Sequence, residues 1–143
     1  AETFTFGREM NRDDFKVREG EMKEILVVDN EPMILSMMEM TLGEMGYAVT
    51  GAGSVEEALS FYASENHRFQ ALVTDFNLED GTGLDIVNTV KDADSPVPVI
   101  LMTGSVMISR VESYQAGFSA FFHKPFSCIE VGREIDSLLD RSN

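Results

Sequence analysis

Ala71-Leu72-Val73-Thr74-Asp75-Phe76-Asn77-Leu78-Glu79-Asp80-Gly81-Thr82-Gly83 changes character halfway along. A short apolar run of strand type ends in a carboxylate, and a polar, glycine-punctuated loop leads to a helical pattern opening at Leu84. The pattern puts one acid, Asp75, at the carboxyl end of a strand. The same grammar occurs three more times: Ile25-Leu26-Val27-Val28 runs into Asp29-Asn30-Glu31, Val99-Ile100-Leu101-Met102 into Thr103-Gly104, and Ala120-Phe121-Phe122-His123 into Lys124-Pro125. In an open, mostly parallel α/β sheet, ligands bind outside the carboxyl ends of the strands, so the four polar groups are predicted to converge. Carboxylates, a hydroxyl and an ammonium meeting there suit a divalent cation and a phosphoryl group.

Helical patterns fill the gaps between these strands. Pro32 suits a first helical turn, and Ile34, Leu35, Met38, Leu42 and Met45 recur at helical spacing until Gly46. Tyr47 to Gly51 reads as a weaker, shorter strand near an edge. Ser54-Val55-Glu56-Glu57 has the form of a capping box opening a helix with Ala58, Leu59 and Tyr62 inward. A third helix is predicted from Leu84 to Lys91, and a fourth from Met107 to Gln115 ending at Gly117. A second box, Ser127 to Glu130, opens a final helix carrying Ile129, Val131, Ile135, Leu138 and Leu139. Strands alternating with helices are the βαβ rhythm, and right-handed crossovers make it a doubly wound α/β sandwich with five parallel strands.

The 143 residues suffice for one domain with a real core, and 43% hydrophobic with 25% charged residues is a globular balance. No apolar run approaches the ~20 residues a membrane span needs, and no signal segment opens the chain, so the sequence reads as cytoplasmic. Cys128 is the only cysteine, which excludes an internal disulfide. A formal charge of −14, with 11 basic residues scattered among 25 acidic ones, argues against direct nucleic-acid binding. Residues 1–23 sustain no period and read as an N-terminal extension or leader, with Met22 a candidate start; residues 24–141 form the domain.

These elements together resemble the response-regulator receiver domain, the phosphoacceptor module of two-component signalling. The resemblance rests on the acidic cluster Asp29-Asn30-Glu31, the Asp75 loop with Gly81-Thr82-Gly83-Leu84, Thr103-Gly104 and Lys124-Pro125. It implies the flavodoxin-like strand order 2-1-3-4-5 and a signalling domain that assists only its own phosphorylation and dephosphorylation. Asp75 would be the phosphoacceptor. Mg²⁺ would be held by Asp29, Asp75 and the backbone carbonyl of Asn77, with Asn30 and Glu31 as further candidates. Lys124 would neutralise a phosphoryl oxygen, Thr103 would donate to another, and Gly104 would leave room beside it. Thr103 and Phe121 would form the switch, remodelling the face of helix four, strand five and helix five, with packing alone holding Phe121 inward. The resemblance further implies a cis Lys124-Pro125 bond. Implied partners are a histidine kinase or histidine phosphotransfer protein and a downstream effector domain or protein, with a homodimer on phosphorylation as a further candidate.

One departure stands out. The family's second acid after strand one, normally a direct metal ligand, is Asn30 here, which predicts weaker Mg²⁺ binding and raises the alternative of a degenerate receiver acting as a docking module. Mutual repulsion of Asp29, Glu31 and Asp75 without metal predicts at least one raised pKa. Glu79, where the family often has proline, reads as loop variation. Met33, Met37, Met38, Met40 and Met45 are expected mainly as core filling, with an adaptable docking face as the alternative. His67 and His123 read as surface or packing residues, and Cys128 as structural. An aspartyl-nucleophile hydrolase matches Asp75-Phe76-Asn77 only in part, and a flavodoxin-type flavin carrier lacks a phosphate loop after the first strand.

Overall fold

The computed structural model describes residues 22–64 and 69–141, so the leader up to residue 21 and His67 lie outside it. Its elements are β1 (Lys23–Val28), α1 (Pro32–Glu44), β2 (Tyr47–Ala52), α2 (Val55–Ser64), β3 (Ala71–Asp75), β4 (Asn77–Leu78), β5 (Gly81–Thr82), α3 (Gly83–Asp92), β6 (Val99–Thr103), α4 (Arg110–Ala116), β7 (Ala120–His123) and α5 (Cys128–Arg141). Five strands pair in parallel in the order β2-β1-β3-β6-β7, while β4 and β5 form a separate antiparallel ribbon. Counted within the sheet this is 2-1-3-4-5, the expected flavodoxin-like, doubly wound arrangement. No helix among the described residues is long and apolar enough to cross a membrane.

Alternation along each strand builds two cores. Leu26, Val28, Leu72, Leu101 and Phe121 face α2, α3 and α4, packing with Val55, Ala58, Tyr62, Ile86, Val87 and Val90. Ile25, Val27, Val73, Ile100 and Met102 face α1 and α5, packing with Met38, Leu42, Val131, Ile135 and Leu139. Both faces of the central strands are covered, which is why they read as continuous apolar runs.

Several local expectations change. β2 is an edge strand but is six residues long, not short. The Ser54 box is half formed: Glu57 N–H donates to Ser54 Oγ at 3.1 Å, but the Glu57 carboxylate accepts from Gly53 N–H rather than from Ser54. α4 begins at Arg110, three residues later than expected, because Ser109 and Glu112 form a full reciprocal box there. It ends, as expected, at Gly117 in the left-handed region, φ 112°. Ile129 on α5 is exposed rather than inward. Core filling holds for Met38 and partly for Met45, whereas Met33, Met37 and Met40 are exposed along α1. Cys128 is a free thiol at the start of α5, half-buried against the α1/α5 core.

Candidate functional site

The carboxyl ends of β1, β3, β6 and β7 lie side by side, and the residues there follow from the register. Thr103 stands opposite His123, and Lys124 N–H donates to the Thr103 carbonyl at 2.7 Å, so the β6 and β7 ends are tied by backbone. The Lys124-Pro125 peptide is cis. On the other side, Asp29 N–H donates to the Ala52 carbonyl at 3.0 Å, fixing the turn out of β1 against the end of β2.

The side chains then meet on one ammonium. Lys124 Nζ lies 3.1 Å from Asp29 Oδ2, 3.3 Å from Asp75 Oδ2 and 3.6 Å from Glu31 Oε1. Asp29 is wholly buried and Asp75 nearly so, whereas the Glu31 side chain is 61% exposed and makes the loosest contact. Each buried acid spends its other oxygen on the backbone. Asp29 Oδ1 accepts from Glu31 N–H at 2.8 Å, and Asp75 Oδ1 from Phe76 N–H at 2.7 Å. One oxygen of Asp75 is therefore locked, and Oδ2 faces the cation.

Burial raises the Asp75 carboxyl above its usual range; Lys124 opposes this and the Asp29 charge adds to it. The expected rise is present, led by desolvation with repulsion secondary. Burial works against the Lys124 ammonium, but Asp29 and Asp75 outweigh it and hold its pKa up. In so enclosed a place, two carboxylates without this ammonium would carry unpaired charge.

Thr103 is wholly buried, its Oγ1 accepting from Ser105 N–H at 2.9 Å. Gly104 is less constrained than expected, since an added Cβ would meet Lys124 Cβ at an ordinary 3.7 Å. The demanding glycine is Gly83, where a Cβ would stand 2.8 Å from the Asp75 carbonyl. Asn30 and Asn77 are exposed beside the site. Glu79 is an exposed turn residue. His123 is exposed, its Nδ1 2.7 Å from the Lys124 carbonyl oxygen.

Phe121 is buried beneath α4, but not by packing alone. The Arg110 guanidinium lies 5.1 Å from its ring centroid and donates to its carbonyl at 3.4 Å. Nothing in the sequence marks Arg110, which faces Phe121 only because α4 starts where it does. Asp80 was equally silent: its two oxygens accept from Val55 N–H at 2.8 Å and Glu56 N–H at 2.9 Å, across a gap of about 25 residues.

The donor set fits Mg²⁺ in kind: the Asp29 and Asp75 carboxylates are hard oxygen donors drawn to one cation, the Lys124 ammonium. Among the described residues no three Asp, Glu, His or Cys side chains form a metal cluster by themselves.

Comparison with known proteins agrees with this geometry. The family model for the response regulator receiver domain matches residues 25–136. The probable transcriptional regulatory protein TcrX of Mycobacterium tuberculosis is 32% identical over 125 residues, 87% of this chain and 53% of that protein. The response regulator protein PilR of Pseudomonas aeruginosa is 34% identical over 109 residues, 76% of this chain and 23% of that protein. The chain thus spans about half of the first regulator and about a quarter of the second. A CheY-like receiver domain from Methanospirillum hungatei superposes with a TM-score of 0.77 at 28% identity, covering 85% of this chain and 96% of the other. Fold, strand-end geometry and sequence matches agree: this chain belongs to the response regulator receiver domain family.

Proposed function

We propose that Asp75 accepts a phosphoryl group from a histidine kinase or histidine phosphotransfer protein. The observation that carries this is the disposition of its two oxygens. Oδ1 is held by the Phe76 N–H, leaving Oδ2 to form the new O–P bond beside Lys124. As that bond forms, the P–N bond to the donor imidazole breaks, its electron pair stays on the ring nitrogen, and the ring, already protonated on its other nitrogen, leaves as neutral imidazole. Water later attacks phosphorus, returning the Asp75 carboxylate and orthophosphate. Lys124 changes partner in the forward step, from the carboxylate to a phosphoryl oxygen, and Thr103 donates its hydroxyl to another. Asp29, Asp75 and the Asn77 backbone carbonyl would hold Mg²⁺, with Asn30 and Glu31 at the rim. Mg²⁺ held there would supply charge neutralisation to the phosphoryl oxygens.

Thr103 and Phe121 then pass the change to the α4–β7–α5 face, which a downstream effector or a second copy of the chain reads. The domain spans residues 24–141 and acts on itself, not on a separate substrate.

The test is intact mass after incubation with a small phosphodonor, with and without Mg²⁺. A Mg²⁺-dependent gain of one phosphoryl group, lost in Asp75→Asn, is the expected result. No gain under any condition, with the cognate kinase also inactive, would favour the reading in which Asn30 has left a docking module.

A further inference from the structure

The ribbon that follows Asp75 is tied at its base, where Gly83 N–H donates to the Phe76 carbonyl at 2.8 Å, but its turn end needs a support of its own. β4 and β5 contribute two residues each, paired only as Asn77 with Thr82 and Leu78 with Gly81. A two-stranded ribbon of that size is marginal without something to rest on. Here it rests on the start of α2. Leu78 shares the core cluster of Val55, and Gly81 sits so near that a Cβ would lie 3.1 Å from Val55 Cγ2. Between them Asp80, at the turn, puts one oxygen on each of two unpaired N–H groups of the first helical turn. The same segment lies near the other acid, because α2 begins three residues after Ala52, whose carbonyl holds Asp29 N–H.

We infer that Asp80 is a positioning residue for the phosphoacceptor site: by clamping the β4–β5 ribbon to α2 it sets the Asn77 carbonyl relative to Asp29 and Asp75. The inference rests on the proposed receiver function. Both N–H bonds hold the Asp80 carboxyl below its usual range, as an engaged carboxylate should be. The ribbon bears no charge in the site, and its contribution is to place one uncharged oxygen where Asn30 supplies no second acid.

The test is Mg²⁺ affinity by calorimetry on the full 143-residue chain, alongside thermal unfolding, for wild type, Asp80→Ala and Asp80→Asn. Asp80→Ala should weaken Mg²⁺ binding about tenfold, the lower end for a lost supporting partner. Asp80→Asn keeps one acceptor oxygen and should recover most of that affinity. A lower melting temperature with unchanged Mg²⁺ affinity would make Asp80 a helix cap and nothing more, overturning the inference. Should Asp80→Ala fail to fold, Glu56→Pro decides instead, since it removes one of the two N–H donors to Asp80 at a first-turn position that tolerates proline: weaker Mg²⁺ binding at a native melting temperature supports the clamp, and wild-type affinity overturns it. A wild-type chain that binds no Mg²⁺ would sink the receiver reading itself, which the wild-type titration reveals before any variant is measured.

Discussion

Both helical layers pack closely on the sheet, and they differ in what fixes their elements to one another. On the α1/α5 side the contact is close packing. The space a Cβ would take at Gly132 is filled by the Met45 thioether, and Met38, Leu42, Val131 and Ile135 are wholly buried. Its polar tie is the Tyr47 hydroxyl donating to Asp136. On the α2/α3/α4 side, single side chains act at helix ends. Asp80 holds the start of α2, Ser109 and Glu112 hold the start of α4, and Lys91 donates to the Ala116 carbonyl at its end. Packing yields all at once, whereas an end clamp can release one element and leave the rest in place. Phe121, on β7, faces the clamped layer.

The largest effect that could break this contrast is Ile135→Ala. Truncating a wholly buried isoleucine should cost about 2–5 kcal/mol of global stability, read by denaturant unfolding. If α5 amides instead exchange in a local opening well below the global free energy, the packed layer is not the cooperative one. Ser109→Ala should cost about 1 kcal/mol and speed exchange chiefly in α4. A uniform loss across the sheet would erase the distinction.

The sequence showed one of these modes and hid the other. Packed positions announce themselves by period, so β1, β3, β6 and β7 and the acids and lysine at their ends were legible before any coordinates. Clamps are pairings between distant segments: Asp80 lies about 25 residues from its partners, and two-residue strands have no period to detect. The Ser109-x-x-Glu112 box was there to be read, but apolar Met107 and Ile108 drew the helix start forward. The methionines of α1 misled because apolar residues occur around its whole circumference, so period alone could not say which side faces inward.

Smaller perturbations sharpen the contrast. Arg110→Ala should remove about 0.5–1 kcal/mol of cation–π attraction and increase the solvent contact of Phe121, followed by ¹⁹F resonance of a fluorophenylalanine there. An unmoved resonance would mean that packing holds the ring after all. The mildest probe is alkaline titration. Burial first, then the Asp136 hydrogen bond and charge, raise the Tyr47 phenol above its usual range. Because the neutral phenol is the form the fold favours, this contribution is intact below about pH 10 and is lost as pH climbs beyond it. Tyr47→Phe should flatten the alkaline stability profile, and a profile identical to wild type would remove the polar tie from the packed layer.

The spread of the site along the chain has a consequence for biosynthesis. Asp29 and Asp75 are made long before Lys124, the ammonium that both of them face. A ribosome-bound chain that has reached β6 holds two acids that the finished fold buries, and nothing yet to offset them. Closing that end of the sheet must wait for the last strand, so a chain cut short before residue 124 lacks the charge that lets its acids be buried.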